Sequence, residues 1–584
     1  MSKVSEFKNH IKKQGLDGYL VPISDPFQNE FVPDCYRRLQ WVTGFTGSAG
    51  FLIVTEKKSV LFVDGRYTIQ AEDEVDPKDF DIQNYTLENI SNFLSQQVGK
   101  KIGFDPWTLT YREQKVFSQS FQNNGGLVPT NTNLIDAIWQ GKPKIPAHPI
   151  VDYPLKYAGE SSLDKRQKIC KGLKESNVDG VILCRADSIA WLLNLRGQDV
   201  DYTPIFLSYA YMDSRGQVVL FCNTDQVDPS INLENIEYKN LDEFPLFLEA
   251  LKNRFILLDQ QKTPYAIYDK IKGQNKIIFG DDPCQLPKAI TNATEQAGAK
   301  NCQIRDGIAL TKFLYWLDNH AVDVGADEYA AMDKVLALRK EQDLFQQLSF
   351  GTIAGINENA ALAHYHTTQE SNKKFTDGCL FLCDSGGQYL DGTTDTTRTV
   401  WVGKTPPPQD LKDNYTRVLK GHIAIATAKF PAGTSGMQLD TLARQPLWSA
   451  GLDYGHGTGH GVGCYLGVHD GPQGISKGYS SVPLVQGMVL SNEPGYYKKG
   501  HYGIRLENIV MVTAEQVKGA ACEMYGFETL TCVPFDSKLI NFDLLDEKEK
   551  LWLDTYHKFI YQVLRDNLRG SEKKWLLKKI KEMV

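Results

Sequence analysis

The chain is 584 residues long, too long for one hydrophobic core, and its length points to roughly three or four domains. Its 42% hydrophobic and 23% charged residues are those of a soluble globular protein, and a formal charge of −7 argues against a nucleic-acid partner. No apolar run is long enough to span a bilayer, the first residues show no apolar signal region, and the eleven cysteines are scattered. A cytoplasmic protein with reduced thiols and no membrane partner is the expectation. Cys379 and Cys383 lack a second cysteine pair, which argues against structural zinc.

In chain order, the first half repeats one plan. Residues 7–21 read as a helix passing through glycine into a strand, and residues 167–183 follow the same order. Each is followed by an apolar segment that carries a tryptophan (Trp41, Trp191) and ends in glycine, and then by strand runs at 59–63 and 217–221. Two similar α/β domains in tandem follow, 1–145 and 146–298, joined by the proline-rich stretch 143–154. A second boundary near 287–300 opens a third domain, 299–584. There Leu310, Phe313, Leu314 and Leu317 share a helix face, and further helices are predicted from Asp327 to Arg339 and from Asp410 toward Phe430. Mixed helices and antiparallel strands predict an α+β catalytic domain. A helical pattern from Leu545 to Leu568 extends it, and the basic run 573–581 reads as a solvated helix end rather than a membrane or partner helix.

Five residues of this third domain look like the ligand set of a two-metal hydrolase: Asp384, Asp395, His460, Glu493 and Glu507. Four carboxylates sharing one cavity resist ionising together, and two divalent cations would remove that conflict. Asp384 ends an apolar strand-like run before turn glycines. Asp395 follows the Asp391-Gly392 turn signal on a threonine-rich run that reads as the return arm of a hairpin. His456 and His460 are four apart, but the glycines around them make loop or strand backbone, not helix. Seven of the eleven histidines fall between His364 and His501. Pro494 biases Glu493 to extended backbone. Glu507 lies in an alternating strand pattern, where Arg505 could neutralise it without a metal.

Six motifs taken in order carry a resemblance. His364-Tyr365, Asp384-Ser385-Gly386, the run 391–395, the run 455–461, the run 491–495 and the run 505–508 resemble the pita-bread metallopeptidases. Over essentially the whole chain the resemblance is to the three-domain, cytosolic-type aminopeptidase P family. His366-Thr367 departs from the small or proline-like residues expected after His364-Tyr365. The resemblance implies a C-terminal pita-bread catalytic domain preceded by two similar α/β domains. It implies peptide substrates with a penultimate proline, cleaved just before that proline, and a homodimer. It implies two metal ions, Mn²⁺ ahead of Co²⁺, Fe²⁺ or Zn²⁺, the oxygen-rich ligand set favouring a hard ion. Asp395 and Glu507 would bridge the ions, Asp384 would complete one site, and His460 with Glu493 the other. Glu493 would also carry the proton to the leaving nitrogen. His364, His456 and His469 would line the substrate side, and Arg505 would support the metal-bound glutamate. Two rivals stand beside this reading. One is a prolidase limited to X-Pro dipeptides, which the tandem amino-terminal domains disfavour. The other is a non-catalytic scaffold, which the five intact ligand types disfavour.

Overall fold

The computed structural model describes residues 2–121, 125–478 and 480–583. The chain forms two compact units, residues 1–155 with 160–285, and residues 156–159 with 286–584.

The first unit holds two six-stranded sheets. One consists of β1 (Gly18–Pro22), β2 (Gly50–Thr55), β3 (Ser59–Val63), β4 (Asp81–Asn84), β5 (Lys101–Phe104) and β6 (Gly126–Pro129), in the order β4-β3-β2-β1-β5-β6. The other consists of β7 (Gly180–Leu183), β8 (Tyr209–Asp213), β9 (Val218–Phe221), β10 (Ile236–Lys239), β11 (Phe255–Leu258) and β12 (Lys276–Phe279), in the order β10-β9-β8-β7-β11-β12. The two orders are the same position for position, and so are the senses of pairing. The repeat seen in sequence is therefore a repeat of topology. Its helices, α1 (Lys3–Lys13) and α2 (Ser162–Glu175), begin alike. Ser2 and Ser161 each accept from a backbone N–H three residues on, satisfying one of the donors a helix start leaves unpaired. The turn into the strand needs a left-handed residue, supplied by Gly15 (φ +71°) in one copy and Asn177 (φ +53°) in the other. The central strands β1 and β7 are buried throughout, as their continuous apolar runs require.

The second unit opens with α3 (Ala293–Asn319), whose Asn292 cap accepts from the N–H groups of Thr294 and Glu295. Leu310, Phe313, Leu314 and Leu317 are all buried on it. Next comes α4 (Glu328–Lys340), capped by Asp327. A three-stranded antiparallel sheet follows: β13 (Ile353–Ile356), β14 (Cys379–Ser385) and β17 (Thr396–Val402), with the short hairpin β15 (Gly387–Tyr389) and β16 (Gly392–Thr393) between the last two. Helices α5 (Gln409–Ala426) and α6 (Gly436–Trp448) pack on a six-stranded sheet. Its strands are β18 (Phe430–Pro431), β19 (Gly459–Gly461), β20 (Asp470–Ile475), β21 (Val489–Asn492), β24 (Asn508–Glu515) and β25 (Met524–Thr529), in the order β18-β25-β24-β21-β19-β20. The hairpin β22 (Gly495–Lys498) and β23 (Tyr502–Arg505) lies between β21 and β24 in sequence.

Two helices close the chain, α7 (Glu547–Leu564) and α8 (Gly570–Lys581). The basic end is solvated on one face only: Lys574, Lys578 and Lys581 are exposed, while the other face packs inward. Leu576 and Ile580 of α8 are buried in the core, and Lys579 lies 3.3 Å from Asp318 of α3. Asp318 also accepts from Lys538 and from the Trp575 indole N–H, each at 2.8 Å. Burial pushes its carboxyl up, but these cations and the indole pull it down further, to about 2. A basic stretch with an apolar stripe thus docks on the protein itself.

Candidate metal centre

The five predicted ligands arrive from two sheets. Asp384 is near the end of β14, opposite Thr397, and Asp395 stands just before β17, so the hairpin brings them together. His460 is the middle residue of β19, Glu493 follows β21, and Glu507 lies between β23 and β24. One ligand atom each from Asp384, Asp395 and Glu507 lies within 4.8 Å of the others. The same holds for His460, Glu493 and Glu507, and for Asp395, His460 and His469. Glu507 and Asp395 each belong to two of these groups.

Glycine explains how β19 fits there. A Cβ on Gly459 would sit 2.0 Å from the Ser491 carbonyl oxygen, and one on Gly461 would sit 2.5 Å from the Gln473 amide nitrogen. Only glycine lets β19 approach its neighbours so closely. The preceding loop is tied to α6. Arg444 pairs with Asp440 at 2.6 Å and donates to the carbonyls of Tyr454 and His456, while Thr458 donates to Asp440 at 2.6 Å. The Glu493 N–H donates to Thr458 O at 2.7 Å, locking that acid to the same loop.

The electrostatics of the cluster are out of balance. Asp384, Asp395 and Glu507 are all buried. Burial pushes the Asp395 carboxyl up to about 6, with Asp384 and Glu493 adding to the rise and His460, 3.5 Å away, opposing it. Glu507 is driven well above the usual range by burial and by its three acidic neighbours. Oδ1 of Asp384 and Oδ1 of Asp395 are buried and find no hydrogen-bond partner among the described residues. Buried polar oxygens are nearly always satisfied, so orphans in a tetrad of acids mark places for cations. The donor set, oxygen-rich with one imidazole, fits two divalent ions.

Arg505 reaches Glu507 through one hydroxyl rather than directly: its Nε donates to the Thr397 hydroxyl at 3.2 Å, and that hydroxyl donates to Glu507. Its guanidinium donates to Asp384 Oδ2 at 2.6 Å, to the Tyr497 hydroxyl at 2.6 Å and to Ala363 O at 3.1 Å, whereas Glu507 accepts from the Thr397 hydroxyl at 2.9 Å. The reason is that the chain does not continue as one alternating strand. β23 ends at Arg505 and β24 begins at Asn508, so Arg505 and Glu507 do not share a strand face.

The remaining histidines separate. His456 lies 4.0 Å from Glu493, its Nδ1 at 2.7 Å from Gly457 O and its Nε2 at 2.8 Å from the Tyr497 hydroxyl. Burial lowers its pKa, so the ring is neutral, donating through Nδ1 and accepting from Tyr497 at Nε2. His469 is exposed, with its ring edge-on to His460 at 4.3 Å. His364 follows Ala363, whose carbonyl Arg505 holds. The next residue, Tyr365, donates to buried Glu328, which also accepts from the Ile356 and Lys373 N–H groups and the Asn359 amide. His422 belongs to the fold: burial lowers it to about 3, and it bonds Leu506 O and the Asn508 amide. Tyr497 and Glu328 carried no sequence signal, because most of their partners lie 28 to 45 positions away along the chain.

The comparisons with known proteins follow the same layout. Models of the creatinase/prolidase N-terminal domain match residues 3–138 and 141–295. Metallopeptidase family M24 matches residues 297–514, and the C-terminal region of peptidase M24 matches residues 523–583. A probable Xaa-Pro aminopeptidase P of Botryotinia fuckeliana is 37% identical over 100% of this chain and 92% of its own. An X-prolyl aminopeptidase from Caenorhabditis elegans, described as a cytosolic enzyme with a di-nuclear active site, superposes with a TM-score of 0.93. It is 32% identical and covers 99% of this chain and 98% of its own. An Xaa-Pro dipeptidase from Bacillus anthracis shares only the fold, with a TM-score of 0.52 and 22% identity over 64% of this chain and 99% of its own.

Proposed function

Because the chain belongs to the Xaa-Pro aminopeptidases of metallopeptidase family M24, we propose that Asp384, Asp395, His460, Glu493 and Glu507 are its catalytic metal ligands. The enzyme is a metallo-aminopeptidase that removes the residue before a penultimate proline. The observation that carries the site is the pair of buried oxygens on Asp384 and Asp395 that have no partner among the described residues, in a group with Glu507 whose ligand atoms lie within 4.8 Å of one another.

In this reading Asp384, Asp395 and Glu507 would hold one ion, and His460, Glu493 and Glu507 would hold the other, with Asp395 lying 3.5 Å from His460. Two divalent ions held there would supply a solvent nucleophile at neutral pH and would polarise the scissile carbonyl. The residues do the rest. Glu493 takes the proton of the attacking solvent and passes it to the prolyl nitrogen, which leaves as the amine. His469, exposed beside His460, donates to the substrate oxyanion as the carbonyl is attacked. His456 and His364 contact the proline side of the bond. Arg505 steadies Asp384 and, through Tyr497, sets the tautomer of His456. The tertiary X-Pro amide has no N–H to offer a general protease, so a dedicated enzyme must read the ring and the free amino terminus.

The same reading assigns Mn²⁺ as the metal, the cytoplasm as the compartment and a homodimer as the assembly. Among the described residues no helix is long and apolar enough to cross a membrane. Purified protein incubated with Mn²⁺ should cleave the first bond of Arg-Pro-Pro and leave Gly-Pro largely intact. Hydrolysis of the dipeptide alone would make it a prolidase. Retention of no metal would leave a scaffold.

A further inference from the structure

The C-terminal helices lie outside the catalytic chemistry, yet one of them reaches the back of the metal centre, chiefly through the buried cation Arg398. Arg398 on β17 is 3% exposed, and none of its partners is a carboxylate. Its Nη1 donates to Glu507 O at 2.6 Å and to Thr397 O at 2.9 Å. Its Nη2 serves Asn508 Oδ1 and Val533 O, both at 2.7 Å, and the Tyr556 hydroxyl at 3.1 Å. Its Nε donates to Pro534 O at 3.1 Å, and the guanidinium lies over the Phe535 ring at 4.4 Å.

A buried guanidinium that no carboxylate oxygen meets directly is costly, and it persists only when every N–H is used in good geometry. Here the acceptors come from two directions. Thr397, Glu507 and Asn508 belong to the metal centre, whereas Val533, Pro534 and Tyr556 belong to the chain that follows it. Tyr556 sits on α7, is buried, and stacks on Trp552 with ring centroids 5.1 Å apart. Its hydroxyl also lies 3.0 Å from the carbonyls of Thr531 and Val533 and 3.3 Å from Asn508 Oδ1. Asn508 turns its amide to His422, whose other nitrogen meets Leu506 O. The backbone on both sides of Glu507 is thereby clamped, its own N–H donates to Thr397 O, and one end of the clamp is a C-terminal helix.

We propose that Arg398 and Tyr556 are positioning residues for Glu507, and that α7 sets the affinity of the metal centre through them. This rests on the assignment of Glu507 as a metal ligand. The C-terminal region is then part of the catalytic unit, because a shift of Tyr556 would be felt at Glu507, the carboxylate that two of the ligand groups have in common. Support of this kind is worth about 10- to 100-fold in metal affinity.

The test uses the full chain stripped of metal and titrated with Mn²⁺, with Tyr556→Phe, Arg398→Lys, Glu507→Ala and, as a control on the same helix, Tyr561→Phe. Tyr556→Phe should weaken Mn²⁺ binding by about 10-fold and alter the electron paramagnetic resonance signature of the coupled pair. The unfolding temperature of the metal-free protein should stay close to wild type, and kcat should fall with little change in KM. Arg398→Lys keeps the charge but loses the fork, and should weaken Mn²⁺ further. Tyr561→Phe should bind as wild type. Wild-type affinity, spectrum and kcat in Tyr556→Phe, while Glu507→Ala loses metal, would overturn the proposal and leave the ligand assignment standing. Undisturbed metal in Glu507→Ala would overturn both. If Arg398→Lys does not fold, Tyr556→Phe decides alone.

Discussion

Two buried aspartates, one in each unit, show what a metal centre looks like before any metal is considered. Asp25, in the loop after β1, and Asp395, before β17, are both shut away from water, and burial lifts each carboxyl to about 6. Their surroundings differ. Asp25 accepts from the Phe27 N–H at 2.9 Å, the Asn29 N–H at 3.1 Å and the Asn29 amide at 2.8 Å, so both its oxygens are used. Asp395 has Asp384, Glu493 and Glu507 for neighbours and one oxygen with no partner among the described residues. A raised carboxyl alone therefore does not mark a site. The unmet hydrogen-bonding demand beside other acids does.

Replacing each aspartate breaks the comparison in opposite ways. Asp395→Asn should drop bound Mn²⁺ below two per chain and lower kcat/KM by more than about 100-fold, read by metal analysis and hydrolysis of Arg-Pro-Pro. Next in size, His469→Ala and His364→Ala should each lower kcat by about 10- to 100-fold while two metals stay bound. Loss of metal in either variant would give that histidine a structural task instead.

The third prediction moves to the docking of α8. Asp318 is held at about 2 against an ordinary value of 3.8, so its folded pKa is depressed. Its contribution, about 2 kcal/mol, is present above pH ~4 and is lost as pH falls toward ~2. Asp318→Asn should remove that share of the acid dependence, and hydrogen exchange should show α8 loosened at neutral pH. The smallest effect belongs to Asp25→Asn. At pH 3 the carboxyl is largely neutral in both the native and the unfolded chain, so the charge drops out of the comparison and only an acceptor is lost. Stability should fall by about 1 kcal/mol with metal content and kcat unchanged. A changed metal content there would erase the distinction between the two aspartates.

Much of this architecture was legible in the residues. The helix–glycine–strand plan at 7–21 and 167–183 corresponds to two sheets of one strand order, because central strands buried on both faces must be continuously apolar. The five positions proposed as ligands stood out because acids at strand ends and glycines around histidines are poor choices for plain core. Other features were hidden. The direct ion pair of Arg505 with Asp384 was not foreseen because an unbroken alternation was assumed through Leu506, where β23 has already ended. Arg398, Tyr497 and Tyr556 gave no signal, since their hydrogen bonds span up to 158 positions of sequence. The burial of Lys579 was missed because pattern alone does not reveal a distant Asp318.

The most direct test is anomalous scattering at the manganese edge from crystals of the Mn²⁺-loaded protein. Two peaks are expected, one among Asp384, Asp395 and Glu507 and one among His460, Glu493 and Glu507. A featureless map, with those side chains turned away from an empty hollow, would contradict the two-metal centre.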